Sequence, residues 1–456
     1  MSTTGIDLSS ILEAAYGSSS AGINVTSAVS SAVTAAQAPE QAWQNQENTY
    51  QSQVSALTQI QTDATNLDND VQVLNSLTGP LAARSVASSN SSILSASAAS
   101  GATVGNHVIV VNSLAATASW TSNTYATSSS TVAAGSFTIT NGAGSSATIT
   151  TDGTQTLSAV ASQINSSNLG LTANVVTDAN GSRLAITANS SGSAANFSVS
   201  SNGLGFTQTV TGANASVTID GLAISSASNT LTNAVSGMSI NLLSADPGVQ
   251  VSLQVSPDTS QASTAINQFV SDYNTLISDL STQFTFSGSS QGVLSTDSSV
   301  RNLQSTVLSA LGYTATPASG ATTTTISNLS SLGVTVDNNG KLSVDSSSLQ
   351  SALQNNFSDV QNFFQGSALN GFANSMDREL TSFVSPDSGA FTVDLKSMNT
   401  QITALQTDIS DYETNIITPL RTKLQSEYDQ AEIALQELPT ETSQINSELG
   451  NTSSKN

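Results

Sequence analysis

Between 41 and 77 the chain has no Gly or Pro, and apolar side chains recur at steps of three and four: Tyr50, Leu57, Ala64 and Val71 alternate with Ile60, Leu67 and Leu74. That spacing puts them on one face of a helix and reads as a heptad seam. Pro39 and Glu40 suit its start and Thr78, Gly79 and Pro80 its end, which predicts a rod about 57 Å long at ~1.5 Å per residue. A second seam lies near the other end of the chain, at Leu395, Met398, Ile402, Leu405, Ile409, Tyr412 and Ile416. It breaks at Thr418-Pro419, a pair that suits an N-cap followed by a first helical residue, or a kink. A hinge is therefore expected at Pro419, beyond which Leu420, Leu424, Tyr428, Ala431, Leu435 and Leu438 resume the stripe. Either seam could face the core of an ordinary bundle. Their places at opposite ends of the chain favour termini that come together as a stalk, with the middle projecting from it.

The middle has a different pattern. Short β-branched runs at 136–140, 146–150, 184–187 and 216–219 are separated by Gly, Asn, Asp and Ser, as in strands joined by turns. Asn180-Gly181, between runs at 172–176 and 184–187, predicts a hairpin with a type I′ turn, which needs positive φ at both central positions. One helix is expected at 157–164. Helical spacing returns with Ile266, Phe269, Val270, Tyr273, Leu276, Ile277 and Leu280, then at 300–311 and 349–364. A hairpin of 332–336 and 341–344 around Asn338-Asn339-Gly340 separates the last two.

The expected fold class is α+β multidomain: a helical leg domain and terminal coiled-coil rods from both chain ends, with two inserted β-rich head domains. The boundaries read as a flexible export or docking segment at 1–27, rods at 28–79 with 393–450, and a disordered tail at 451–456. The helical leg domain takes 256–392 and packs on the rods, the inner β-rich domain takes 80–120 with 213–255, and the outer one takes 121–212. A chain of 456 residues exceeds one hydrophobic core, consistent with several units.

Charge narrows the partners. Lys and Arg number 9 against 31 Asp and Glu, a net charge of -22 that repels nucleic-acid phosphates and anionic lipid headgroups. Charged residues are 9% of the chain against about 25% in an average soluble protein, and Ser, Thr, Asn, Gln and Gly take their place. No run approaches the ~18 apolar residues of a membrane span, so neither nucleic-acid binding nor membrane insertion is expected. The first basic side chain is Arg84, so the amino terminus lacks the charged region of a Sec signal peptide. Secretion would need another export system.

The chemistry is sparse. Cys is absent and His107 is the single His, which leaves little material for nucleophilic or metal-based catalysis. Gly288-Ser289-Ser290-Gln291-Gly292 matches a nucleophile-elbow pattern, but it lies in a Ser/Gly loop without a strand-to-helix setting. Asp337-Asn338-Asn339-Gly340 puts Gly fourth instead of sixth, which suits a hairpin and not a calcium loop. Gly203-Leu204-Gly205 lacks the third Gly of a dinucleotide fingerprint. Asp68 and Asp70, like Asp408 and Asp411, read as solvated outer positions of the rods. No catalytic, cofactor-binding or metal-ligating residue is expected, and the chain reads as a non-enzyme. The candidate site residues are those of the two seams, with Pro419.

Several segments, taken in order, resemble the flagellar hook-associated protein 2 family, the filament cap proteins. Gly22-Ile23-Asn24-Val25 through Ala38-Pro39-Glu40-Gln41 and Ser55-Ala56-Leu57 look like its opening. Ile219-Asp220-Gly221, Ser228-Asn229-Thr230-Leu231 and Val235-Ser236-Gly237-Met238-Ser239-Ile240-Asn241 resemble its most characteristic run. Phe269-Val270-Ser271-Asp272-Tyr273-Asn274, Leu332-Gly333-Val334-Thr335-Val336-Asp337 and Gly340-Lys341-Leu342-Ser343-Val344-Asp345 follow at similar spacing. The resemblance implies a homo-oligomeric cap ring at the distal end of the flagellar filament, beneath which exported flagellin folds and inserts without leaking away. It also implies export by the flagellar type III apparatus, an export chaperone, and possible adhesion through Ser/Thr/Asn-rich loops at 120–130 and 189–195. The rival readings are a flagellin-like or hook-filament junction protein, an extracellular adhesin, and a secreted polysaccharide hydrolase.

Overall fold

A computed structural model of the chain describes residues 25–200, 204–285, 291–317, 323–367 and 370–452. The Gly203 position, most of the Gly288 to Gly292 stretch, nearly all of the expected export segment and most of the expected tail lie outside the described residues. In chain order the elements begin with α1 (Val25–Ala36), α2 (Ala38–Asn75), β1 (Arg84–Ser88), β2 (Leu94–Ala98), β3 (Gly105–Ser113) and β4 (Ser119–Thr121). Next come β5 (Gly135–Thr140), β6 (Ser146–Thr151), α3 (Leu157–Ser166), β7 (Leu171–Asp178), β8 (Gly181–Ala188), β9 (Ser198–Val199) and β10 (Thr207–Val210). Then follow β11 (Ala215–Ile219), β12 (Leu222–Ser226), β13 (Thr230–Thr232), β14 (Met238–Leu242), β15 (Val251–Pro257), α4 (Thr259–Phe284) and α5 (Ser298–Ala310). The chain ends with β16 (Val334–Val336), β17 (Leu342–Val344), α6 (Ser346–Asn355), α7 (Phe357–Gln365), α8 (Phe372–Val384), α9 (Ala390–Tyr412), a π turn (Glu413–Ile417) and α10 (Thr418–Thr452). The α+β multidomain class read from the sequence is the one found.

The chain forms two compact units. Among the described residues, one holds those up to Gln72, those within Asn267–Asp345 and those from Gly366 onward; the other holds those within Val73–Ile266 and Ser346–Gln365. The first unit is mainly helical. Phe269, Tyr273, Leu276, Ile277 and Leu280 of α4 are buried in it, with Phe269 edge-on to Phe372 of α8 at 5.7 Å between centroids. The β16–β17 hairpin is clamped to α4 by main-chain contacts. The Asn274 side chain donates to the Leu342 carbonyl at 2.8 Å and accepts from the Leu342 N–H at 2.7 Å, and the Tyr273 hydroxyl donates to the Gly340 carbonyl at 2.9 Å. Two of the family-like sequence runs are therefore the two halves of one contact.

The second unit is β-rich. A five-stranded antiparallel sheet in the order β1-β15-β3-β11-β12 and a three-stranded sheet in the order β13-β14-β2 share an apolar core that includes Ile109, Val111, Val217, Ile240 and Leu253. A four-stranded sheet (β10-β4-β8-β7), a three-stranded sheet (β6-β5-β9) and α3 enclose another, built on Phe137, Ile139, Leu157, Leu184 and Ile186. Asn229 joins the β3–β4 connection to β13, accepting from the Ala115 N–H at 2.7 Å and donating to the Ala115 carbonyl at 3.0 Å.

Several expectations need correction. The β7–β8 hairpin pairs Asp178 with Gly181, so its loop is Ala179-Asn180 and Gly181 belongs to the strand; only Gly181 has positive φ there. Gly is required at that place because a Cβ would lie 2.3 Å from the Tyr125 carbonyl oxygen. The I′ geometry occurs instead at Asp220-Gly221, with φ of 50° and 85°, in the two-residue loop between β11 and β12. The helix expected at 349–364 is two helices broken at Asn356, and α8 has no counterpart in the expected elements. Trp120, inside the expected 120–130 loop, is half-buried in β4 and donates its indole N–H to the Phe197 carbonyl at 3.0 Å.

Candidate functional site

The site is a packing surface made by the two chain ends. On α2, Leu57, Ile60, Ala64, Leu67 and Val71 are each at most 1% exposed. Leu74, continuing the stripe, is buried as well, and Tyr50 is half-buried. Helix α9 runs alongside in the opposite direction. Gln61 donates to the Thr392 hydroxyl at 3.3 Å, Gln406 donates to Glu47 at 2.7 Å, and Trp43 meets Tyr412 edge-on at 5.4 Å. Residue numbers fall on one helix as they rise on the other, which is antiparallel pairing in constant register.

The α9 stripe is less covered than its counterpart. Ile402 is 9% exposed, whereas Leu395, Met398, Leu405, Ile409 and Tyr412 are only half-buried. At its end the stripe changes register. Ile416 is 48% exposed and Ile417 is fully buried, because Glu413–Ile417 is a π turn. One extra residue per turn rotates every later side chain by roughly 100° relative to a continuous α-helix. Ile417 then packs with Val29 and Val33 of α1, beside Leu424 and Tyr428 of α10. Pro419 is the second residue of α10. There its ring denies a hydrogen bond to the Asn415 carbonyl inside the π turn, the usual setting for such a bulge. Pro439 lies inside α10 without ending it.

The acidic residues of α2 depart furthest from expectation. Asp63 and Asp68 are 5% and 6% exposed and Asp70 is half-buried, so Asp68 and Asp70 are not solvated outer positions. Heptad positions flanking a two-helix seam face water, but α2 is packed against α4 and α8 as well as α9. Asp63 lies within hydrogen-bond reach of Asp279, Asp70 of Asp272 and Asp68 of Asp377. Burial first, then the facing carboxyls, pushes Asp63 and Asp68 up to about 6 and Asp70 up to about 7. Asp408 and Asp411 are exposed.

In the β-rich unit, His107 Nδ1 lies 2.7 Å from Asp220 Oδ2, and Asp220 Oδ1 accepts from the Val108 N–H at 2.8 Å. Those bonds, the His107 one foremost, hold the Asp220 carboxyl below its ordinary value. Through these two bonds Asp220 ties the I′ turn between β11 and β12 to β3. Among the described residues there is no cluster of three or more metal-ligating side chains, and no helix is long and apolar enough to cross a membrane.

Antiparallel helices from both chain ends, a β-rich insertion and a site made of packing surface define a multidomain structural protein. The family model described as Flagellar hook-associated protein 2 C-terminus matches 212–440, the corresponding N-terminus model matches 21–118, and the Flagellin hook IN motif matches 136–190. The B-type flagellar hook-associated protein 2 of Pseudomonas aeruginosa is 28% identical over 356 residues, 70% of this chain and 74% of that one. The flagellar hook-associated protein 2 of Aeromonas caviae is 26% identical over 377 residues, 76% of this chain and 80% of that one. The crystal structure of the D1-D2-D3 domains of the Escherichia coli flagellar cap protein FliD superimposes with a TM-score of 0.60 at 27% identity, covering 75% of this chain and 99% of that one. The chain belongs to the flagellar hook-associated protein 2 family, the structural proteins that cap the flagellar filament.

Proposed function

We propose that this chain assembles into a homo-oligomeric ring at the distal end of the flagellar filament, holds flagellin while it folds and inserts, and keeps monomers from leaking into the medium. The paired ends act as coiled-coil legs on the filament, and Pro419 with the π turn is the hinge that lets them follow each insertion. The observation that carries this reading is the uneven covering of the two stripes: the α2 stripe is buried from Leu57 to Leu74, whereas α9 keeps a half-open apolar row from Leu395 to Tyr412. An incompletely covered seam on an ordered helix is a surface for a second copy or for the filament end. In this reading the chain leaves the cell through the flagellar export apparatus, escorted by an export chaperone.

The test is deletion of the gene with an assay of culture medium for unpolymerised flagellin and imaging of filaments. Leaked monomer with short or absent filaments, restored by adding back this chain, is the expected result. Normal filaments without leakage would overturn the reading and favour an extracellular adhesin.

A further inference from the structure

Asp63 and Asp70 are seven residues apart on α2, and their facing partners Asp279 and Asp272 are seven apart on α4 in the opposite order. Acid faces acid at the same heptad position in successive layers of an antiparallel seam. A third such pair, Asp68 with Asp377, joins α2 to α8. The remaining partners are neutral: Gln59 donates to Asp63 at 3.0 Å, Gln72 to Asp68 at 2.9 Å and Gln268 to Asp272 at 3.0 Å. Each of these three aspartates retains a buried oxygen, Asp63 Oδ2, Asp68 Oδ1 and Asp70 Oδ2, that no N–H or hydroxyl of the described residues reaches.

The charges acting on these carboxyls come from Asp272, Asp279 and Asp377. The basic groups of the surrounding elements do not answer them. Arg301 of α5 donates to the Ser295 carbonyl and lies over Phe284, while Arg378 of α8, beside Glu379, and Lys396 of α9, near Asp394, are exposed. Two carboxylates facing each other in a partly buried seam cannot both remain ionised cheaply, whereas a carboxyl donating to a carboxylate satisfies the orphan oxygen and removes the repulsion.

We propose that the helical unit is closed by a proton latch, in which Asp63 with Asp279, Asp70 with Asp272 and Asp68 with Asp377 each share one proton, and that losing these protons loosens α2 from α4 and α8. The unit is thereby a pH-sensitive element, independent of the capping role.

The sign follows from proton counting. Burial, with the facing carboxyls, pushes Asp63, Asp68 and Asp70 up to about 6, 6 and 7 in the folded unit against 3.8 in the free carboxyl. The folded state therefore binds more protons than the unfolded state between those values, and stability falls as pH rises through the folded values. Carboxyls held low, such as Asp220, Asp258 and Asp337, act in the opposite sense, and only where pH falls below their ordinary range.

Trp43 lies in the helical unit and Trp120 in the other, so the full chain carrying Trp120→Phe reports the latch through Trp43 fluorescence. Its urea midpoint is expected to drop by more than about 0.5 M between about pH 5 and about pH 8. With Asp63→Asn, Asp68→Asn and Asp70→Asn added, the amides donate permanently and the drop is expected to vanish. A midpoint that is flat or rises with pH, an unchanged drop in the triple variant, or a midpoint restored at high pH by calcium or magnesium would each overturn the latch. Carbon-13 NMR of aspartate-labelled wild-type protein tests it without those variants. At least three carboxyls should titrate above about pH 5; if all titrate below, no latch exists.

Discussion

The Tyr412 hydroxyl donates to the Ala36 carbonyl at 3.0 Å, and this one bond ties together the two places where the terminal helices are interrupted. Ala36 ends α1 just before the turn at Gln37, and Tyr412 ends α9 just before the π turn. The Ala36 carbonyl lies in the last turn of a helix, where acceptors lack partners in their own helix. Tyr412→Phe keeps the ring against Trp43 and removes only this bond. It is expected to cost about 1 kcal/mol and to speed amide exchange across α1 while leaving α4 and α8 unchanged. Unaltered protection in α1 would show that the bond holds nothing.

The two seams respond differently to a charge. Leu57 is fully buried, so Leu57→Asp strands a carboxylate in the core and is expected to destabilise the helical unit by about 4 kcal/mol or more. Leu405 is half-buried, and Leu405→Asp is expected to cost about 1 kcal/mol yet still stop filament growth. Thermal unfolding followed by circular dichroism, set beside a motility assay, separates the cases. Normal growth with folded Leu405→Asp protein would remove the open α9 stripe from the assembly surface.

How far the sequence could be read depended on the kind of order involved. The α2 stripe repeats every three or four residues, and burial follows it from Leu57 to Leu74. The π turn was not legible: Ile416 and Ile417 are both apolar and adjacent, so the stripe continues equally well through either, and Pro419 alone marks the irregularity. The acid pairs were hidden for a different reason. Asp63, Asp68 and Asp70 flank the seam at positions that face water when two helices pair, and only the number of helices around α2 decides otherwise. That number is set by α4 and α8, hundreds of residues away along the chain. Turn chemistry transferred in kind but not in place, since Asp220-Gly221 forms the I′ turn that Asn180-Gly181 was expected to form.

Asn274 illustrates a residue whose role is entirely in main-chain contact. Its amide satisfies both the N–H and the carbonyl of Leu342, and Asn274→Ala leaves both unpaired in a partly buried place. The expected cost is about 2–3 kcal/mol, with the β16–β17 hairpin released first. Asn274→Asp should not rescue it, because a carboxylate accepts from the Leu342 N–H but faces the Leu342 carbonyl with no proton to donate. Urea unfolding of the three proteins checks the order, and an Asp variant as stable as wild type would refute the two-bond account.

Pro419 sets the register of everything beyond it. Without an N–H it cannot bond the Asn415 carbonyl, and its ring disfavours an α turn through 415–419. Pro419→Ala removes both constraints, so the π turn is expected to relax toward α-helix, stiffening the junction between α9 and α10. The same relaxation turns α10 about its axis and pulls Ile417 out of its contact with Val29 and Val33. Spin labels on α1 and α10 should then give a narrower distance distribution with a shifted mean. An unchanged distribution would mean that packing around Ile417, and not the proline, maintains the π turn, and would overturn the proposed hinge at Pro419.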